Sequence, residues 1–247
     1  MGLIESEGIV LRSYNLAEAD KIVVCLTRTA GVVRTVARGA RRLKSRFGAG
    51  LEPFTIVALT YYEKEGRELV SLRQAEIIRS FFDLAGSAEN VAALAYMSEL
   101  VMEFAPPHEP NEKLFRMVRA VVEALANTPS DLSALVRYFE VWTLKLAGFL
   151  PDMISCVGCA KKLGEASPIY LNAEFKARCP QCSHRLGKEF SEAGHRQLRT
   201  AQRLSPSEFA KTSRVVSAGT MNELADLSQG LIRRVLERQP RSHMSLL

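Results

Sequence analysis

KIVVCLTRTAGVVRTVAR, residues 21–38, reads as two β-strands folded back on each other at Gly31. Both halves are rich in Val, Ile and Thr, whose branched side chains fit a pleated, half-buried surface. Further runs of this kind lie outward on either side, at residues 7–16, 54–62 and 69–75. Turn signals separate them at Asn15, Gly31, Gly48, Gly50, Pro53 and Gly66. Five strands in so short a span predict a small closed barrel, because closure removes the exposed edges that short strands otherwise present. An oligonucleotide/oligosaccharide-binding (OB) barrel fits first, with a small SH3-like barrel behind it.

From Phe81 the period changes. Val91, Leu94, Ala95, Ser98, Val101, Met102 and Ala105 recur at three- and four-residue steps after a cap at Ser87, and stop at Pro106-Pro107. A second helix fits residues 112–127 with Asn111 as cap. A third fits residues 132–147, capped near Asp131, with Leu135, Phe139, Trp142 and Leu146 inward and Gly148 closing it. Beyond residue 188 the helical period returns. Ser205-Pro206-Ser207-Glu208 has the form of a capping box with proline at the first helical position, and Leu224, Leu227, Leu231 and Val235 mark a last helix before Pro240. The expected architecture is an α+β multidomain chain. An N-terminal OB-type β-barrel takes residues 1–80, and an all-α domain takes 81–150 and 189–240. A zinc-binding insertion occupies 151–188, and 241–247 form a flexible tail.

The chain has 247 residues, 47% of them hydrophobic, which is enough for more than one core. Its start carries Glu5 and Glu7 and has no apolar run of signal-peptide length. No stretch approaches the roughly 18 apolar residues of a membrane span. A soluble, cytoplasmic protein with no membrane partner is expected. The net charge of +6 favours an anionic partner.

Cys156-Val157-Gly158-Cys159 and Cys179-Pro180-Gln181-Cys182 form two C-x-x-C pairs with nineteen residues between them. That spacing suits a four-cysteine zinc site, and metal explains paired cysteines in a reducing compartment better than disulfides do. Two intervening residues let both thiolates of a pair turn toward one ion at about 2.3 Å. Gly158 is expected to supply a positive φ in the first knuckle, and Pro180 to stiffen the second. Four thiolates fill a tetrahedral shell, so one Zn2+ per chain would be structural. His184 follows Cys182 closely and is an alternative ligand in place of one thiolate, though with four cysteines completing the shell it reads first as a surface residue or a support to the shell; His108 and His195 read as surface histidines. Cys25 stands apart.

Arg34, Arg38, Arg41, Arg42, Lys44 and Arg46 fall within thirteen residues that contain no acidic residue. Arg34 and Arg38 share a strand face by the period of two, and Gly39-Ala40 lets the chain leave the sheet. The other four cations are expected on a flexible loop able to follow a phosphate backbone without reading bases. Phe47, Phe54, Tyr61 and Tyr62 lie nearby as candidates for base stacking or for core.

These residues resemble the bacterial DNA repair and recombination mediator family RecO. The likeness rests on Glu7-Gly8-Ile9-Val10-Leu11, Glu18-Ala19-Asp20-Lys21-Ile22, Gly31, the basic segment Ala37-Arg38-Gly39-Ala40-Arg41-Arg42-Leu43-Lys44-Ser45-Arg46, and Leu51-Glu52-Pro53-Phe54. The resemblance implies no enzymatic turnover and binding of single- and double-stranded DNA without sequence specificity. It also implies annealing of complementary strands in the nucleoid. Its implied partners are RecR, the C-terminal tail of single-strand-binding protein (SSB), RecF and, through loading onto DNA, RecA. It assigns Arg34 to Arg46 to DNA contact and the four cysteines to zinc. An SSB tail needs an apolar hole beside a cation; Arg116, Arg119 and Arg137 are candidates.

No phosphate-binding G-x-x-x-x-G-K-[ST] loop, G-x-S-x-G elbow or H-E-x-x-H helix is present. Two other readings remain: a zinc-stabilised protein-interaction scaffold with accessory DNA binding, and an oxidoreductase using Cys156 and Cys159.

Overall fold

The computed structural model describes residues 2–63, 69–164 and 168–242. The expected turn at Gly66 and most of the expected tail lie outside them. Contacts divide the chain into two compact units. One runs to Pro129 and includes Arg241 and Ser242; the other is Ser130–Pro240.

The first unit is built on a closed five-stranded barrel of β1 (Gly2–Leu16), β2 (Asp20–Thr27), β3 (Gly31–Ala37), β4 (Ile56–Glu63) and β5 (Leu69–Arg79). The order around the barrel is β1-β2-β3-β5-β4, with β3 and β5 parallel and every other pair antiparallel. β1 starts earlier than its Val/Ile content suggests. Gly2 to Ile9 pairs with β4, and Gly8 to Leu16 with β2, so one long strand closes the barrel. A bulge between Val10 and Arg12 marks its bend. Val10, Val23, Cys25, Val33, Ala37, Val57, Leu59, Tyr61, Val70 and Leu72 fill the interior.

Two helices complete this unit, α1 (Ala88–Phe104) and α2 (Glu112–Asn127). Ser87 and Asn111 cap them, accepting from the N–H groups of Asn90 and Leu114. The expected α1 stripe is rotated: Val91 and Ala95 are exposed, while Ala93, Leu94, Met97, Leu100 and Val101 are buried. A helix apolar on most sides is buried on most sides, so no single stripe describes it. Ser98 Oγ donates to the Leu11 carbonyl, Arg119 pairs with Glu7, and Arg28 pairs with Glu112, tying both helices to the barrel. Arg241 and Ser242 donate backbone N–H groups to the Glu99 carboxylate. The helical residues expected as one domain over 81–150 and 189–240 are thus divided, α1 and α2 going with the barrel.

The second unit packs α3 (Leu132–Leu146) with α5 (Glu192–Arg203), α6 (Pro206–Ser213) and α7 (Ala218–Leu236). Between α3 and α5 lie β6 (Ile169–Leu171), β7 (Ala177–Arg178), the short α4 (Pro180–Ser183) and β8 (Lys188–Phe190), with sheet order β7-β6-β8. The capping box at Ser205 and Glu208 is present. Asp131 makes no cap bond; its carboxylate receives Arg214 in a two-pronged pair at 2.9 Å for each contact. Inside the unit the Arg137 guanidinium meets the Glu140 carboxylate at 2.9 Å, and Ser228 Oγ donates to the same carboxylate at 2.5 Å. No helix among the described residues is long and apolar enough to cross a membrane.

Candidate nucleic-acid interface and metal centre

Strand alternation sets the direction of the basic segment. Val33, Thr35 and Ala37 of β3 point into the barrel, so Arg34 and Val36 point out, with exposed Arg38 following. Arg41, Arg42, Lys44 and Arg46 are also exposed. Among the described residues none of Arg34, Arg38, Arg41, Arg42, Lys44 and Arg46 is paired with a carboxylate. The segment after β3 is more ordered than the flexible loop its composition suggests. Gly39 N–H donates to Asp20 Oδ1 at 2.8 Å, and Arg41 N–H donates to the Ala19 carbonyl at 3.0 Å. The Arg41 guanidinium donates to the carbonyls of Ala17 and Glu18 at 3.1 and 3.0 Å, fastening the segment to the β1–β2 turn. Ser45 N–H closes a turn onto the Arg42 carbonyl, which leaves Leu43 fully exposed at its corner. Arg46 lies over the Phe47 ring.

The aromatic candidates separate by burial. Phe47, Phe54 and Tyr61 are buried in the barrel unit and cannot meet a base. Strand aromatics fill the core where alternation turns them inward, and Tyr61 follows that rule. Burial, the Glu63 carboxylate and Cys25 push its phenol up to about 12. Tyr62, one residue on, points outward and is half-buried. Tyr14, which aromatic clustering near the basic run did not pick out, is 40% exposed on β1 beneath the Arg12 guanidinium.

The four paired cysteines come together. Their sulfurs all lie within 4.8 Å of one another, with Cys159 Sγ 3.8 Å from Cys179 Sγ. A tetrahedral ion bound at about 2.3 Å to each sulfur needs S–S edges of about 3.8 Å, so the set fits one metal ion of zinc's size and preference. Backbone N–H groups of Gly158 and Cys179 point at Cys156 Sγ, and that of Cys182 at Cys179 Sγ. Burial opposes ionisation of Cys156, but the N–H groups of Cys179, Gly158 and Cys159 outweigh it and hold its thiol down to about 6. Gly158 has a different role from the one expected. Positive φ falls instead at Ala160, His184 and Arg185, whereas a Cβ on Gly158 would sit 3.0 Å from the Cys182 Cβ. Glycine lets the two knuckles close on each other. His184 is exposed, ends α4 in a left-handed conformation and is not one of the clustered ligands.

His195 is buried, not at the surface, because it lies on the inner stripe of α5. It lines a cavity of about 340 Å³ in the second unit with Met153, Ile154, Leu163, Lys162, Arg199 and Arg203. His195, Arg199 and Arg203 recur every four residues, which aligns them along one side of the helix. Two sequence candidates for an acidic-tail contact are engaged elsewhere: Arg137 is buried against Glu140, and Arg119 is held by Glu7 and Glu123. Arg116 is exposed on α2.

The barrel and the chain that follows it each match a family model. The family model "Recombination protein O N terminal" matches residues 1–81, and "Recombination protein O C terminal" matches residues 86–244. The chain is 34% identical to a DNA repair protein RecO from Anaeromyxobacter sp. (strain K), over 74% of this chain and 72% of that one. It is 32% identical to a protein of the same name from Symbiobacterium thermophilum, over 98% and 94% of the two chains. A third such relative, from Bifidobacterium animalis subsp. lactis, is 39% identical over 66% and 68%.

Proposed function

The chain belongs to the RecO family of DNA repair and recombination proteins, and on that premise we propose that it is a recombination mediator acting by charge neutralisation on DNA strands. The observation that carries this reading is the exposed basic segment Arg34, Arg38, Arg41, Arg42, Lys44 and Arg46, fastened to a closed barrel. Cations held in one place along a phosphate backbone bind single- and double-stranded DNA without reading sequence. Two strands whose phosphates are partly neutralised repel each other less, so complementary bases pair without nucleotide hydrolysis. With RecR, and with RecF alongside, the protein helps RecA load onto single strands covered by SSB in the nucleoid.

Zinc is the ion we assign to Cys156, Cys159, Cys179 and Cys182. A four-sulfur shell has no open position for water or substrate, so the metal stabilises the small sheet of the second unit and does no chemistry. The cavity beside α5 suits the SSB tail: Met153, Ile154 and Leu163 offer an apolar hole, and Lys162, Arg199 and Arg203 supply positive charge for a carboxylate end.

The test is annealing of two complementary labelled oligonucleotides with Arg42→Glu, Lys44→Glu and Arg46→Glu combined in the full chain. Annealing and DNA affinity should both collapse while the melting temperature holds. Undiminished annealing by the variant would overturn the reading.

A further inference from the structure

The basic segment after β3 carries three apolar side chains among its cations, and the barrel takes only two of them. Ala40 packs against the barrel core and Phe47 is buried in it. Leu43, between them, is the most exposed large apolar side chain among the described residues. Its place is fixed by the backbone. Ser45 N–H donates to the Arg42 carbonyl at 2.9 Å, which makes Leu43 and Lys44 the central pair of a turn. Arg42 N–H donates to the Gly39 carbonyl at 3.1 Å, Gly39 N–H to Asp20 Oδ1 at 2.8 Å, and Phe47 N–H to Ser45 Oγ at 3.3 Å. The leucine is held out on an ordered tip.

Water is a poor solvent for a leucine, and the flanks of this one say what would cover it. Arg42 and Lys44 stand on either side of it in the chain, with Arg38 and Arg46 beyond; all four are exposed, and residues 38–46 contain no carboxylate. An apolar tip between cations is complementary to an apolar base stack between two rows of phosphates, and a duplex presents that arrangement at its minor groove. At about 6 Å wide, this groove admits a single side chain on a turn and excludes a helix. Apolar side chains of leucine's size enter base-pair steps from that side, part the two pairs and kink the duplex. An unpaired strand has no closed stack to part and gains nothing from the tip.

We propose that Leu43 is a wedge that enters a base-pair step from the minor groove of duplex DNA, while Arg42 and Lys44 hold the phosphates on either side. The proposal rests on the phosphate-neutralising reading above and adds to it a preference among duplexes. Parting a step costs stacking energy, and the cost is least where a nick, a gap or a mispair has already weakened the stack. The wedge therefore favours interrupted or half-paired duplexes over intact ones without reading their sequence.

The test titrates the full-length protein and its Leu43→Ala and Leu43→Met variants into oligo(dT), an intact duplex and a centrally nicked duplex, all of one length, each duplex carrying 2-aminopurine beside its central step. Wild type should bind the nicked duplex more tightly than the intact one and raise its 2-aminopurine fluorescence, the sign of an opened stack. Leu43→Ala should lose that rise and weaken nicked-duplex binding about fivefold or more, the loss expected when most of a buried leucine side chain is removed. Leu43→Met, close in volume, should keep both. All three proteins should bind oligo(dT) alike and with the same salt slope, which reports that the turn and its cations are intact. Wild-type protein that binds duplex without the fluorescence rise overturns the proposal. So does Leu43→Ala that keeps both rise and affinity, which would leave the side chain to a protein contact. A Leu43→Ala variant that loses oligo(dT) and duplex binding in equal proportion gives Leu43 a structural role and overturns it too. Wild-type protein that binds none of the three DNAs overturns the charge-neutralisation reading itself, and this inference with it.

Discussion

Replacing Arg38, Arg42, Lys44 and Arg46 together by glutamine should flatten the salt dependence of single-strand binding by an amount the structure sets. These four are exposed and, among the described residues, unpaired with any carboxylate. Arg41 is left in place because its guanidinium fastens the segment to the Ala17 and Glu18 carbonyls, and removing it would loosen the others. Each phosphate neutralised on a single strand adds about 0.7 to the slope of log affinity against log salt, so losing four contacts removes about 2.8. Between roughly 50 and 200 mM salt, wild-type affinity should fall about fifty-fold further than the variant's does. Fluorescence anisotropy of labelled oligo(dT) at several salt concentrations measures both slopes. A variant slope within about 0.5 of wild type would show that these cations face solvent and not phosphate, and the placement of DNA on this segment would be wrong.

Other outcomes follow from the buried chemistry. Arg137→Met should destabilise the second unit by about 3–5 kcal/mol in urea melts, because it strands the buried Glu140 carboxylate; adding Glu140→Leu should restore much of the loss, and a single variant as stable as wild type would refute the account. Burial pushes Cys25 up to about 12, and burial, Glu63 and Cys25 push Tyr61 up to about 12. Both groups are neutral in the folded barrel and ionise earlier when unfolded, so stability should be full below about pH 9 and fall as pH rises toward 12. Tyr61→Phe should make that alkaline decline shallower in thermal melts; an identical decline would refute the assignment. Cys179→Ser should reduce bound zinc well below one per chain by elemental analysis and lower the thermal stability of the second unit, while salt-sensitive DNA binding by the soluble fraction persists.

The barrel was legible because its strands state their period plainly. β2 and β3 are dense in Val, Ile and Thr, and the turn at Gly31 has φ +63. The first half of β1 was not legible, since Glu5 and Glu7 lie on its outer side and hide the inward alternation of Ile4 with Val10. The clustering of Cys156, Cys159, Cys179 and Cys182 was readable from spacing alone, whereas the reason for Gly158 was not. Close approach of Cys182 is a tertiary fact with no local signature. The basic residues could be listed by eye, but the anchor that makes Arg41 different from Arg42 is a pair of carbonyls more than twenty positions away. His195 looked ordinary until the rotation of α5 was known.

One consequence concerns self-association. The N–H of Val157, inside the first cysteine knuckle, donates to the Ala177 carbonyl at 3.0 Å, so the knuckle covers the outer edge of β7. The opposite edge strand, β8, carries Lys188 and Glu189, charges that discourage another chain from docking there. Stripping the metal would release the knuckle and open an unprotected strand edge in every molecule at once. Loss of the proposed zinc should therefore show first as a concentration-dependent gain in mass by light scattering, ahead of any change in the barrel.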